Sequence, residues 1–257
     1  MSAKPADGTL QALAGFHAVI ARLQAAPKTI ESIHFDARRR DGRMQQVREL
    51  ARGAGVPMVP AEPQLLRELS CGAPHQGVIA LAAAVERALT LDDVTAAVEP
   101  RTLLLVLDGV TDPRNLGACL RVADAAAVDA VIVPRDRSAG LTPAALKAAS
   151  GAAESVPLIE VTNLARALDA IGAAGIHAVG AAGEADQSLF DLDLTGPVAW
   201  VLGAEGSGLR RLTRERCAQI ARIPLQGTVE SLNVSVAAGI CLFETVRQRL
   251  AQRSAPA

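Results

Sequence analysis

The second half of the chain repeats one arrangement, a strongly apolar run that stops abruptly at a polar, glycine-containing island. Residues 102–107 (TLLLVL) run into 108–117 (DGVTDPRNLG), 198–202 (VAWVL) into 203–208 (GAEGSG), and the short run 219–223 into 224–235 (PLQGTVESLNVS). Apolar runs of this length bounded by Gly, Pro and Asp read as buried parallel strands. The islands then fall at strand C-terminal ends, where open α/β sheets place their ligand crevices. Asn115, Arg121, Glu205, Ser231 and Asn233 lie at or just beyond these tips and are expected to assemble into one site.

The surrounding pattern supports that architecture. Strands are expected at 103–107, 130–133, 156–160, 176–180, 199–202 and 219–223, alternating with helices at 115–127, 143–151, 164–174, 209–216 and 234–250. Regular alternation implies an α/β fold with a mostly parallel, doubly covered sheet. Thr142-Pro143 and Asn163-Leu164 supply N-cap chemistry for two of the helices. Ahead of this unit lies a smaller α/β one. It comprises a helix from Gly15 with Phe16, Val19, Ile20 and Leu23 on one face, strands at 30–35, 56–59 and 77–82, and helices at 39–53 and 63–69. The expected boundaries are 11–84 for the smaller unit, 85–100 for a linker with one helical turn, and 101–251 for the larger unit, with 1–10 a tail.

Composition excludes several classes of function. No apolar stretch reaches the roughly 18 residues of a membrane span, and the N-terminus lacks a charged region followed by an apolar one, which favours the cytoplasm. Four scattered cysteines without a CxxC pair read as free thiols, and no metal-ligand constellation is present. Net charge is −1, but residues 28–52 hold seven basic against four acidic side chains. Such a cluster can contact phosphates, although a solvated, ion-paired helix face explains it as readily. Aromatics make up only 2% of the chain, which argues against a base-stacking platform.

Each island has a plain reading beside the functional one. Asn115 begins a helix and is by default its N-cap. Arg121 has Asp124 three residues on, yet it sits in an otherwise small and apolar helix and needs a carboxylate or phosphate partner. The glycines at 203, 206 and 208 run GxxGxG, not the GxGxxG of dinucleotide folds, and the unit's first strand carries no such loop. A nicotinamide-dependent oxidoreductase is therefore a poor reading. Glu205, set among glycines, can reach a ligand without steric cover. Ser231 and Asn233 introduce a helix, but the extended approach at 223–230 without a following strand is the mark of a loop that wraps a ligand or is itself threaded.

Together the islands resemble the three motifs of the SpoU/TrmH branch of the SPOUT RNA methyltransferases. The similarity rests on VLDGVTDPRNLGACLR, VIVPRDRSAGL, GAAESVPLI, LGAEGSGLRRLTRE and SLNVSVAAGICLFE and covers nearly the whole chain. The resemblance implies an N-terminal RNA-binding domain, a C-terminal deep trefoil knot, which is a rare exception to unknotted chains, and a homodimer with catalytic parts near the subunit interface. It implies S-adenosylmethionine bound in the knot, with Gly203, Ile223 and Leu232 lining its pocket. The implied reaction is 2′-O-methylation of a guanosine in the peptidyl-transferase region of 23S rRNA. Arg121 would then face the 2′-hydroxyl or the adjacent phosphate, Asn115 would orient the nucleophile, and Glu205, Ser231 and Asn233 would complete the polar shell. An arginine is a poor base because it stays protonated, so electrostatic stabilisation of the alkoxide suits Arg121 better. Glu205 and a substrate phosphate both stand as proton acceptors. The same chemistry on tRNA or another rRNA position, and a non-catalytic RNA-binding assembly factor on the same scaffold, remain open. His17, His34 and His177 read as structural, and His75 as an RNA contact implied by the resemblance.

Overall fold

The computed structural model describes residues 10–83 and 89–254. The expected tail apart from Leu10, and residues 85–88 of the expected linker, lie outside the described residues. Residues 10–83 together with Ser150–Ser155 make one compact unit, and 89–149 with 156–254 make the other.

The first unit contains β1 (Gln11–Ala14), α1 (Phe16–Ala25), β2 (Ile30–Phe35), α2 (Gly42–Ala54), β3 (Met58–Pro60), α3 (Pro63–Leu69) and β4 (Val78–Ala82). Its sheet runs β1-β4-β2-β3, with β4 antiparallel to both neighbours and β2 parallel to β3. The strand β1 is absent from the sequence reading, because QALA shows no apolar alternation and gains its identity only by pairing with β4. Phe16, Val19 and Leu23 of α1 meet Ile33, Met44, Val47 and Ala80 in the core. Arg22, on the same helix and only 2% exposed, pairs with Glu154 and donates to Thr29 Oγ1 and the Ala83 carbonyl. With its donors matched, this buried charge is compensated.

Much of the basic cluster is occupied within the unit. Arg38 bonds Asp36 through two nitrogens. Arg39 bonds Asp41 and the Gln76 carbonyl and lies 4.9 Å over the Phe16 ring. Arg48 covers Phe35 at 5.0 Å.

The second unit contains α4 (Leu91–Ala96), β5 (Leu103–Asp108), α5 (Pro113–Ala125), β6 (Ala130–Pro134), α6 (Pro143–Ala149), β7 (Leu158–Val161), α7 (Leu164–Ala173), β8 (His177–Ala181), β9 (Val198–Gly203), α8 (Arg211–Arg216), β10 (Gln219–Ala221) and α9 (Val234–Ser254). The six strands are all parallel in the order β10-β8-β9-β5-β6-β7. Alternation along the central strands sorts the side chains: Leu104, Val106, Ala199 and Val201 share a core with Leu164, Leu168 and Ile171 of α7. Residues of opposite parity serve α5 and α9, which pack together and, in the case of α9, on β9. There Trp200, fully buried, donates from Nε1 to Thr245 Oγ1 of α9 at 2.9 Å. The far end of α9 is held by Arg249, whose guanidinium donates to the carbonyls of Arg101, Thr102 and Gly196. Burial lowers the Arg249 pKa from its ordinary value.

Three element bounds differ from expectation for identifiable reasons. The helix α5 starts at Pro113, not at Asn115, because Asp112 caps it by accepting from the Arg114 amide. The helix α8 starts at Arg211, not at 209, because the Arg210 amide is taken by Asp108. The edge strand β10 ends at Ala221, and the chain then runs to α9 without another strand. Among the described residues no helix is long and apolar enough to cross a membrane, and no group of three His, Cys, Asp or Glu could hold a metal ion.

Candidate active site

The parallel register sets Asp108, the last residue of β5, beside Gly203, the last of β9. The first two islands therefore leave the sheet from adjacent tips. Asp108 is buried and accepts from the Arg210 amide at 2.9 Å and from Arg210 Nε at 2.5 Å. This ties both ends of the loop between β9 and α8 to the end of β5.

Steric demands explain the glycines of that loop. A Cβ on Gly203 would fall 2.1 Å from the Gly208 carbonyl carbon, and Gly206 and Gly208 hold φ of +79° and +64°. The backbone closes on itself through the Gly208 amide and the Ala204 carbonyl, 2.9 Å apart. Glu205 is presented on the outside of this closed turn.

Two further side chains reach Glu205, one from each remaining island. Asn115 Nδ2 donates to Glu205 Oε1 at 3.0 Å, and Asn233 Nδ2 donates to the same oxygen at 2.7 Å. Asn233 Nδ2 also lies 3.0 Å from Asn115 Oδ1, closing a triangle of three side chains. On its other edge, Asn233 Oδ1 accepts from the Ser235 amide and hydroxyl, which fixes the orientation of its amide and caps α9. The Val234 amide approaches Glu205 Oε1 at 3.4 Å, so the carboxylate sits at the positive end of a 21-residue helix. All these donors converge on Oε1; among the described residues none bonds Oε2. Asn115 is thus not an N-cap but a contact between islands, 90 residues from its partner.

Beside the triangle lies a cavity of about 430 Å³, within the usual range for small-molecule pockets. Its walls are the tips of β8 and β9, the glycine loop, and the chain after β10. Gly203, Ile223 and Leu232 line it, as do Glu205 and Ser231. Its ionisable lining is wholly acidic: Glu184, Glu205 and Glu230. The Glu184 carboxyl is held below its ordinary value by its own backbone amide and then by Arg214, against the opposing effect of burial. Arg121 is not in this assembly. It is exposed on α5, and no described residue makes a hydrogen bond or ion pair with its side chain.

Sequence reasoning missed two parts of the site. Asp108 reads as an ordinary strand-ending turn residue, and its partner is 102 positions away. The tip of β8, residues 181–184, repeats the pattern of an apolar run ending in Gly and an acid, a signal that was available. His177 is not among the cavity's lining residues, and its Nε2 lies 3.0 Å from Gln219 Oε1. Within the first unit, His34 Nε2 lies 3.2 Å from Ser32 Oγ, and His75 Nδ1 accepts from the Gly77 amide.

Comparison with known proteins adds an independent line. Residues 102–243 match the SpoU rRNA Methylase family, and residues 12–88 match a domain described as RNA 2′-O ribose methyltransferase substrate binding. The chain is 56% identical over 237 residues to the 23S rRNA (guanosine-2′-O-)-methyltransferase RlmB of Ralstonia nicotianae, covering 92% of this chain and 95% of that one. It is 49% identical to the RlmB of Pseudomonas putida, covering 95% and 99%. Among solved structures it resembles an RNA 2′-O ribose methyltransferase with a TM-score of 0.78 at 31% identity, covering 95% and 90%. It also resembles the SpoU methyltransferase AviRb from Streptomyces viridochromogenes in complex with AdoMet, with a TM-score of 0.76 at 27% identity, covering 95% and 91%.

Proposed function

We propose, from the premise that this chain belongs to the SpoU rRNA methylase family, that it 2′-O-methylates a guanosine ribose of 23S rRNA. The observation that carries the reading is the meeting of Asn115, Glu205 and Asn233, one from each island, with Glu205 also lining a cavity of acidic, glycine and apolar residues.

The methyl donor of this reading is S-adenosylmethionine, and the cavity suits it. A pocket whose charged lining is three carboxylates, of which only Glu184 is paired with an arginine, favours a cationic ligand over a phosphate-bearing one. Gly203, Ile223 and Leu232 would hold it, through the closely folded glycine loop and two apolar side chains. When bound, the cofactor supplies a methyl group made electrophilic by its sulfonium.

The protein's own tasks are to position the ribose oxygen, receive its proton and stabilise the charge that develops there. Glu205 is assigned as the acceptor, because Oε1 is fixed by three donors while Oε2 carries no bond to a described residue. Asn115 orients the 2′-hydroxyl, and Asn233 locks the Glu205 rotamer. Ser231 adds a hydroxyl at the cavity wall. Arg121 is assigned to the alkoxide or the neighbouring phosphate, a role that fits a cation carrying no protein partner among the described residues.

Three larger features belong to the same reading. The stretch 224–233 is the threaded segment of a trefoil knot; in support, it returns from the edge strand β10 to the central tips, with the Glu230 carbonyl near Gly183. A homodimer would cover the exposed face of α9, where Val236 and Phe243 are 49% and 47% exposed with Ile240 between them. The first unit binds rRNA, and the chain acts in the cytoplasm. Incubation with labelled S-adenosylmethionine and unmodified 23S rRNA tests the whole. Incorporation should be lost in Arg121→Ala with cofactor binding retained, and incorporation unchanged by that substitution would overturn the assignment.

A further inference from the structure

Within the methyltransferase unit, several exposed arginines lie close to the reacting centre. Along α5, Arg114 and Arg121 are seven residues apart and share the exposed face. Arg135 and Arg137 follow β6, whose strand neighbours β5 with Val106 level with Ile132, so both loops leave the same edge of the sheet. The two loops are joined: the Ala139 amide donates to the Val110 carbonyl at 2.8 Å, inside the first island and five residues before Asn115. Arg114, Arg135 and Arg137 are all exposed, and no described residue bonds or pairs with their side chains. The nearby carboxylates do not neutralise them. Asp112 is occupied capping the Arg114 amide, and Asp136 is exposed and pairs with none of the three.

Backbone strain singles out Arg137. It holds φ at +59°, a left-handed conformation unfavourable for an L side chain. Elsewhere among the described residues of this unit the only such non-glycine is Ala127, which follows the end of α5; Arg137 adopts it in mid-loop. Strain kept at an exposed arginine beside a catalytic loop points to a role outside the fold itself.

We propose that Arg114, Arg135 and Arg137 form a phosphate-binding arc on the methyltransferase unit, which grips the RNA backbone flanking the target ribose. The proposal rests on the reading of this chain as an rRNA 2′-O-methyltransferase. The arc fixes the strand beside Asn115 and Glu205, so that the 2′-hydroxyl is delivered by contacts on the same rigid sheet that carries the acceptor. It recognises backbone charge and carries no base information.

The test measures affinity of the full chain for an unmodified 23S rRNA transcript across a range of salt concentrations, with S-adenosylmethionine affinity measured in parallel. Removing one arginine–phosphate pair should flatten the log K against log salt slope by about 0.7, so the triple alanine variant (R114A, R135A, R137A) should lose about 2. Its RNA affinity at low salt should fall by about tenfold or more, with cofactor affinity unchanged. The triple lysine variant, which keeps the charges, should restore most of the slope, an outcome that a merely structural role would not produce. R137G, which relieves the left-handed strain while removing the charge, should lose about 0.7 of the slope while the protein becomes no less stable. An unaltered slope in the alanine variant, with the parent chain binding and methylating the transcript normally, would overturn the arc alone. Failure of the parent chain to bind or methylate RNA would instead overturn the underlying reading, and the arc with it.

Discussion

Two carboxylates stand at neighbouring strand tips and do opposite things. Asp108 ends β5, is buried, and is committed to the amide and guanidinium of Arg210. Glu205 lies two residues beyond the end of β9, is exposed, and is held only by neutral amide donors on one oxygen. A carboxylate whose two oxygens are taken by a backbone amide and a guanidinium is suited to holding backbone in place. One that is oriented by neutral groups keeps an oxygen for exchange. The chemistry available to an acid is thus decided by what holds it, more than by where it lies along the strand.

The two acids should differ most when Glu205 is changed. Glu205→Gln keeps the shape and the Oε1 acceptor but removes the oxygen proposed to take the proton, and should slow methyl transfer by about 10²–10⁴ at saturating cofactor. Cofactor affinity, followed by calorimetry, should fall only modestly, because Glu184 and Glu230 remain in the lining; an unchanged rate would reassign the acceptor to the substrate. Gly203→Ala attacks the loop between the two acids. Overpacking of about 1–3 kcal/mol should weaken S-adenosylmethionine binding about tenfold to hundredfold, measured by the same titration. Asp108→Ala should act mainly on stability. The Arg210 amide loses its acceptor, at a cost of about 1–3 kcal/mol, towards the low end because the Arg210 side chain is 43% exposed and can be resolvated. Denaturant unfolding checks this, and a saturating-cofactor rate that collapses in Asp108→Ala would place the two acids in one role.

The smallest effects are read at two thiols. Burial pushes Cys119 up to about 12, with Glu205 adding to the rise. Burial likewise pushes Cys217 up to about 11, with Asp108 adding and Arg214 opposing. Glu205→Gln should therefore lower the Cys119 titration and Asp108→Asn that of Cys217, each without affecting the other, as followed by thiolate absorbance. The sign for stability follows from the raised values. The native state holds these protons longer than the unfolded chain, so the contribution is complete below the ordinary thiol value of 9.0 and is lost as pH climbs towards 11 and 12.

Sequence periodicity was enough to place the six parallel strands, because β5, β6 and β9 are continuous apolar runs that stop at Gly, Pro or Asp and the remaining strands fall into the regular alternation with helices. It also marked Asn115, Glu205 and Asn233, since polar residues at strand tips have few structural duties. What it could not supply were facts settled by partners distant in the chain. The identity of β1 depends on β4, the start of α8 on Asp108, and the duty of Asn115 on Glu205. Charge count alone does not separate engaged cations from free ones. Residues 28–52 are conspicuous by count, yet Arg38, Arg39 and Arg48 are engaged within their own unit, whereas the unpaired arginines near Asn115 are scattered along the sequence.

Trp200 is the chain's single tryptophan, and there is no tyrosine. It lies three residues before Gly203 and is hydrogen-bonded to Thr245 of the helix that Asn233 opens. The molecule therefore carries an intrinsic optical reporter at the joint between sheet and closing helix. Its emission reports on that joint without labels or a competing phenolic signal, and stopped-flow mixing with cofactor can show whether the joint responds to binding before methyl transfer.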